Sequence, residues 1–180
     1  MNNRERSNTL STAYIGIDPG TEGAIAVIWP DGRREIHDID HSFVDGIGTL
    51  IGISSRARLN GVTLWAVLEH VTAMPKQGVA SSFKFGASWG HLRGALIALG
   101  IPILTEPRPP QWKAKVMAGR HTGKDKKDQK TAARDVAREL YPDCSDLLKR
   151  AKDADRAEAL LLAEYGRRLR GVGVDAEGKR

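Results

Sequence analysis

Apolar and polar positions change period several times along the 180-residue chain, and each change marks an element. AYIGID, 13–18, is a short apolar run with β-branched residues that stops at Asp-Pro-Gly, and AIAVIW, 24–29, follows after a Gly-bearing turn. Pro30-Asp31-Gly32 turns the chain again into RREIHDI, so the pattern predicts three successive antiparallel strands. SFVDGIGTLIGISSRARLNG is ambiguous: part of it reads as helix, and three internal glycines count against a continuous one. VTLWAVLEH, 62–70, is strongly β and ends in an acid. In SSFKFGASWGHLRGALIALG, Leu92, Leu96 and Leu99 recur at helical spacing and Gly100 stops the helix. IPILTE gives a further short strand, and Pro107, Pro109 and Pro110 break the chain just beyond it. Two more helices are expected, one from Asp128 to Leu140 and one from Asp153 to Arg170 with an apolar face through Ala157, Leu160, Leu161 and Leu169.

Strands joined through helices must be parallel neighbours, whereas the opening meander must be antiparallel. The expectation is therefore an α/β domain: a mixed five-stranded sheet flanked by helices, spanning 13–170, with residues 1–12 and 171–180 as frayed tails. The length suits one domain. Cys144 is the single cysteine, so an internal disulfide and a thiolate zinc site are both excluded, and the thiol is expected to be inert. The polar start MNNRERSNTLSTA has no signal-peptide core, and no stretch approaches the roughly 18 apolar residues of a membrane span. A soluble, cytoplasmic protein with no membrane partner is expected.

The formal charge of +6 indicates a polyanionic partner, and its distribution says more than its sum. Ten Lys or Arg residues against three acids fall between Arg108 and Arg138, a surplus of +7, so the rest of the chain is close to neutral. Within that segment AGRHTGKDKKDQK has almost nothing to bury and reads as a solvated loop leading into a helix. Phosphate contacts by such a segment would make binding steeply salt-dependent without conferring sequence specificity.

Acids sit where a site would form. Asp18 and Glu69 each end an apolar strand, and the carboxyl ends of strands are where open α/β sheets place ligands. Asp155 and Glu158 stand three apart at the start of the last helix and so share a face, with Asp153 an alternative to Asp155. Carboxylates converging with no compensating cation beside them call for a hard divalent ion, Mg²⁺ or Mn²⁺. Two such ions about 4 Å apart are suited to phosphodiester hydrolysis.

Taken together, YIGIDPGTEGAIAVI, VLEH and DRAEALLLAEYG resemble the RuvC-like Holliday-junction resolvases of the RNase H-like superfamily, over about 14–170. MPKQGVASSFKFGASWGHLRGALIALGIP followed by QWK resembles their phage and prophage branch in particular. The resemblance implies an RNase H-like fold, a homodimer and Mg²⁺-dependent paired nicking of four-way DNA junctions. The implied catalytic and metal-binding acids are Asp18, Glu69, Asp155 and Glu158; Glu at the last position departs from the usual Asp.

Candidate DNA contacts are Lys76, Lys84, Arg93, Lys113, Lys115, Arg120, Lys124, Lys126, Lys127 and Lys130, and no spacing selects among the lysines. Phe83, Phe85 and Trp89 either stack on unpaired bases or belong to a core or dimer interface; Trp89 and Leu92 are the expected interface residues. His70 follows Glu69 on the opposite face of the strand, and His121 lies in the basic loop. Two other readings compete. One is a branched-DNA-binding module with idle acids. The other is a phosphotransferase of the actin and sugar-kinase type, which needs two such domains and finds no room here; no nucleotide cofactor is expected.

Overall fold

The computed structural model describes residues 11–20, 22–39, 43–70, 72, 78–118, 120 and 125–171. Five strands form one sheet: β1 Thr12–Asp18, β2 Ala24–Ile28, β3 Arg34–Asp38, β4 Thr63–Leu68 and β5 Ile103–Thr105. Their order is β3-β2-β1-β4-β5. The β1–β2 and β2–β3 pairs are antiparallel, and β1–β4 and β4–β5 are parallel, as the crossover argument requires. Five α-helices complete the described fold: α1 Phe43–Leu59, α2 Val79–Ala98, α3 Pro109–Val116, α4 Lys126–Leu140 and α5 Ala154–Gly171.

Alternation along the central strands sorts the core into two layers. Ile15, Ile17, Ile25, Val27, Ala66 and Leu68 face α1 and α2, where they meet Leu50, Ile53, Leu92 and Leu96. Ala24, Ala26, Ile28 and Val67 face the other way, towards Leu160, Leu161, Ala163 and Tyr165 of α5 and the helices around it. The floor under α5 is made of small residues for a steric reason. A Cβ on Gly16 would lie 2.0 Å from the Ala159 carbonyl oxygen and 2.3 Å from the Ala163 nitrogen, so β1 and α5 touch backbone to backbone. That close approach sets the start of α5 against the end of β1.

Several boundaries differ from expectation. The ambiguous segment is one unbroken 17-residue helix, α1, because Leu50, Ile53 and Ala57 bury on one face and outweigh its glycines. α4 starts at Lys126, two residues early, because Asp125 caps it by accepting from the Asp128 backbone N–H at 2.8 Å. Part of the basic segment expected as loop is therefore helical. α5 starts at Ala154, behind a 3₁₀ turn over Ala151–Asp153, and is buried almost all round from Ala157 to Gly166, not along one stripe. Gly100, at φ +67°, ends α2 as predicted, its N–H donating to the Ile97 carbonyl. Thr12 opens β1 and Gly171 ends α5; residues 1–10 and 172–180 of the expected tails lie outside the described residues. No described helix is long and apolar enough to cross a membrane.

Candidate metal centre

The backbone contact between β1 and α5 gathers acids at the carboxyl edge of the sheet. Asp18, Asp155 and Glu158 each offer an oxygen, and the three oxygens lie within 4.8 Å of one another. Glu69 stands beside them: Ile17 pairs with Leu68 in the parallel β1–β4 ladder, and the Glu69 N–H donates to the Ile17 carbonyl at 3.0 Å. After Asp18 the chain doubles back so tightly that a Cβ on Gly23 would lie 2.1 Å from the Asp18 carbonyl oxygen. The Gly20 N–H donates to Asp18 Oδ1 at 3.2 Å, which aims that carboxylate into the cluster.

Burial and mutual repulsion dominate the electrostatics. Loss of solvent pushes the Asp18 carboxyl well above the ordinary Asp range, and the charges of Glu69, Glu158 and Asp155 push it further. Glu69 rises to about 7, mainly through burial, although the hydrogen bond from Trp112 opposes the shift. That rise sets the sign of the pH dependence. Folded Glu69 keeps its proton up to about 7, whereas its ordinary value is 4.5, so its stability contribution is complete below 4.5 and is lost as pH rises through 7. The loss is on the order of 3 kcal/mol. Thermal unfolding is therefore expected to show wild type losing stability between pH 5 and 7.5, with Glu69→Gln flattening that slope; equal slopes would refute the assignment.

The supposed absence of a compensating cation does not hold. Lys113 Nζ donates to Glu158 Oε1 at 2.7 Å with both side chains buried, and Lys130 Nζ donates to Asp155 Oδ1 at 2.9 Å. The two lysines pair with Glu158 and Asp155, which among the described residues leaves Asp18 and Glu69 without a cation, the two acids whose ionisation burial opposes. An all-oxygen donor set of this spacing, with two carboxyls that lack a cation, fits a hard divalent ion.

The remaining sequence candidates scatter. Asp153 is absent from the cluster: Arg150 binds it through its backbone N–H and guanidinium, and Arg156 lies 3.5 Å away. Burial alone would raise the Asp153 carboxyl, but these hydrogen bonds hold it below its usual range. Lys115 turns away, its ammonium 5.9 Å from the Tyr165 ring centroid. Arg120 pairs with Glu139 and Arg93 with Glu106. Lys84 and Lys127 are exposed, Phe83 is 76% exposed and Phe85 is half-buried. Lys76, His121 and Lys124 lie outside the described residues, as does the side chain of Lys126. Leu92 is fully buried between α2 and the sheet, which rules it out as an interface residue, while Trp89 is half-buried against His70. His70 thus packs on α2. Burial moves the Cys144 thiol up to about 11, consistent with an inert residue.

One residue of the site and one buried acid outside it escape a sequence reading. Trp112 is fully buried in α3, and its Nε1–H donates to Glu69 Oε1 at 2.8 Å, fixing that carboxylate. The available signal is the Trp112–Val116 pair, an i,i+4 apolar spacing in an otherwise polar segment. Glu164 is an acid inside the apolar run of α5, held by the Tyr141 hydroxyl and by Arg167 and Arg168. Its signal is the arginine pair three and four residues on.

No protein-family model and no curated protein sequence matches the chain. Among solved structures it is similar to Thermus thermophilus RuvC, at TM-score 0.51 and 18% identity, over 87% of this chain and 96% of that one. The fold is RuvC-like. A structure of T. thermophilus RuvC in complex with Holliday junction substrate is also similar, at TM-score 0.47 and 16% identity, over 88% of this chain and 96% of that one.

Proposed function

We propose that the protein is a divalent-metal-dependent, structure-selective endodeoxyribonuclease that resolves four-way DNA junctions by paired nicks. The observation that carries the reading is the oxygen cluster of Asp18, Asp155 and Glu158, with Glu69 alongside, at the carboxyl edge of the sheet. The RuvC-like fold and the resemblance of the strand and helix motifs support it.

In this reading Asp18, Glu69, Asp155 and Glu158 hold Mg²⁺, with Mn²⁺ able to substitute, at two ions per site. The ions supply Lewis-acid polarisation of the phosphate and a more acidic bound water. The chain's own residues arrange the reactants. Trp112 fixes one oxygen of Glu69, Lys113 orients Glu158, and Lys130 orients Asp155. Water attacks phosphorus in line and the bond to the 3′ oxygen breaks, leaving 5′-phosphate and 3′-hydroxyl ends. Lys84 and Lys127, both exposed, contact backbone phosphates. Two nicks across a two-fold symmetric junction need two active sites, which a homodimer supplies.

An end-labelled four-way junction and a matched linear duplex, each with Mg²⁺ or EDTA, test this. Paired cuts confined to the junction and abolished by EDTA are expected. Tight junction binding without cleavage in either Mg²⁺ or Mn²⁺ would instead favour the binding module.

A further inference from the structure

A cleft of about 430 Å³ opens at the edge of the sheet opposite the acids. Tyr14 of β1, Ile28 of β2 and Arg34 of β3 line it from the sheet, and Tyr141, Glu164 and Arg167 line it from the helices. In the antiparallel β1–β2 ladder Tyr14 pairs with Ile28 at one end and Asp18 with Ala24 at the other, about 13 Å along the strand. On α5 the nine steps from Glu158 to Arg167 cover about 14 Å. The cleft is thus separate from the acid cluster, and its volume lies within the range of small-molecule sites.

Its charged lining is two guanidiniums to one carboxylate. Glu164 is 2% exposed and accepts from the Tyr141 hydroxyl, Arg167 and Arg168, so its charge is answered inside the protein. Arg167 gives Nε and Nη2 to that carboxylate, and among the described residues Nη1 is left over. Arg34 lies 4.7 Å from the Tyr141 ring centroid, with Nη1 donating to Asp143 at 3.0 Å. Its Nε is buried and has no acceptor among the described residues. A buried donor without a partner is unfavourable and rare in native folds. Asp143 is 56% exposed, so the pair that holds the guanidinium is weak, and a turn of the side chain presents Nε–H to an oxygen in the cleft. Cations arriving from β3 and from α5 suit a tetrahedral anion, because one guanidinium fork already fills the two oxygens of a carboxylate. Beside them Tyr14, Ile28 and Leu140 form an apolar wall for the rest of a ligand.

We propose that this cleft binds a small phosphate ester with a flat ring body, such as a nucleoside 5′-monophosphate. The phosphate lies on Arg34 and Arg167, and the ring lies against Tyr14, Ile28 and Leu140. Binding needs neither the acid cluster nor a metal, so the site stands apart from the nuclease reading. A free mononucleotide and a 5′-phosphorylated DNA end carry the same group, and titration separates the two sources.

Isothermal titration of the full chain in EDTA tests the site with adenosine 5′-monophosphate, adenosine, inorganic phosphate and a 5′-phosphorylated single-stranded tetranucleotide. The monophosphate is expected to bind at about 100 μM or tighter, and adenosine and phosphate each at least about 10-fold more weakly. Arg34→Gln is expected to weaken the monophosphate by about 10-fold or more, the scale of a charge-assisted hydrogen bond, while the fold is kept because the lost ion pair is a surface one. Leu140→Glu reads the site independently: it sets a negative charge at the rim and should weaken binding without touching Arg34. Asp18→Asn should bind the monophosphate as wild type does. A tetranucleotide that binds as tightly as the monophosphate, and is lost in Arg34→Gln, supports the same site with a DNA end as its source. Absence of binding at about 5 mM monophosphate overturns the proposal. So does undiminished binding in Arg34→Gln or Leu140→Glu, loss of binding in Asp18→Asn, or inorganic phosphate binding as tightly as the monophosphate.

Discussion

Asp18→Asn is expected to abolish cleavage and, at the same time, to make the protein more stable at neutral pH. The loss of activity should be about three orders of magnitude or more, the scale on which a central member of a catalytic set acts. The gain in stability comes from the same atoms. Burial and the charges of Glu69, Glu158 and Asp155 raise the Asp18 carboxyl far above its ordinary value, so holding it ionised at pH 7 works against folding. Asparagine removes the charge and keeps Oδ1, which still accepts from the Gly20 N–H. Each kcal/mol recovered is worth about 2–4 °C for a chain of this size. The variant should therefore melt several degrees higher than wild type without metal, and added Mg²⁺ should stabilise it less. A variant that loses activity and melts lower would mean that Asp18 serves the fold.

Position 18 also shows how far a single sequence reaches. An apolar β run ending in Asp-Pro-Gly, followed by a second strand and turn, fixes where that carboxylate must lie, because local pattern and sheet geometry suffice. The Asp155–Glu158 spacing is equally local, since one helical turn aligns the two side chains. What stayed hidden depends on partners distant in sequence. Trp112 reaches Glu69 across 43 residues and Lys113 reaches Glu158 across 45. No periodicity reports such a meeting. The choice between Asp153 and Asp155 turned on arginines that bind Asp153 through a 3₁₀ turn, a geometry invisible in a helical reading of the segment. Leu92 was misplaced for a related reason: helical spacing separates the two faces of α2 but cannot say which of two apolar faces meets the sheet.

Lys113 illustrates how the site is held together before any metal arrives, and Lys113→Met is expected to be the most destabilising change in it. Methionine matches the lysine stem, so packing around α3 changes little, but the carboxylate of Glu158 is left buried without its 2.7 Å partner. Removing one member of a buried ion pair costs about 3–5 kcal/mol, far more than an exposed pair. At 2–4 °C per kcal/mol the melting temperature should fall by roughly 10 °C. Two additions separate this cause from a simple packing defect. The double variant Lys113→Met/Glu158→Gln should recover most of the loss, because the stranded charge disappears with its partner. Mg²⁺ should raise the melting temperature of Lys113→Met by more than it raises that of wild type, because a cation at the acid cluster takes over the work of the ammonium. Additive losses in the double variant, or equal Mg²⁺ shifts in both proteins, would show that Lys113 and the metal do not answer the same negative charge.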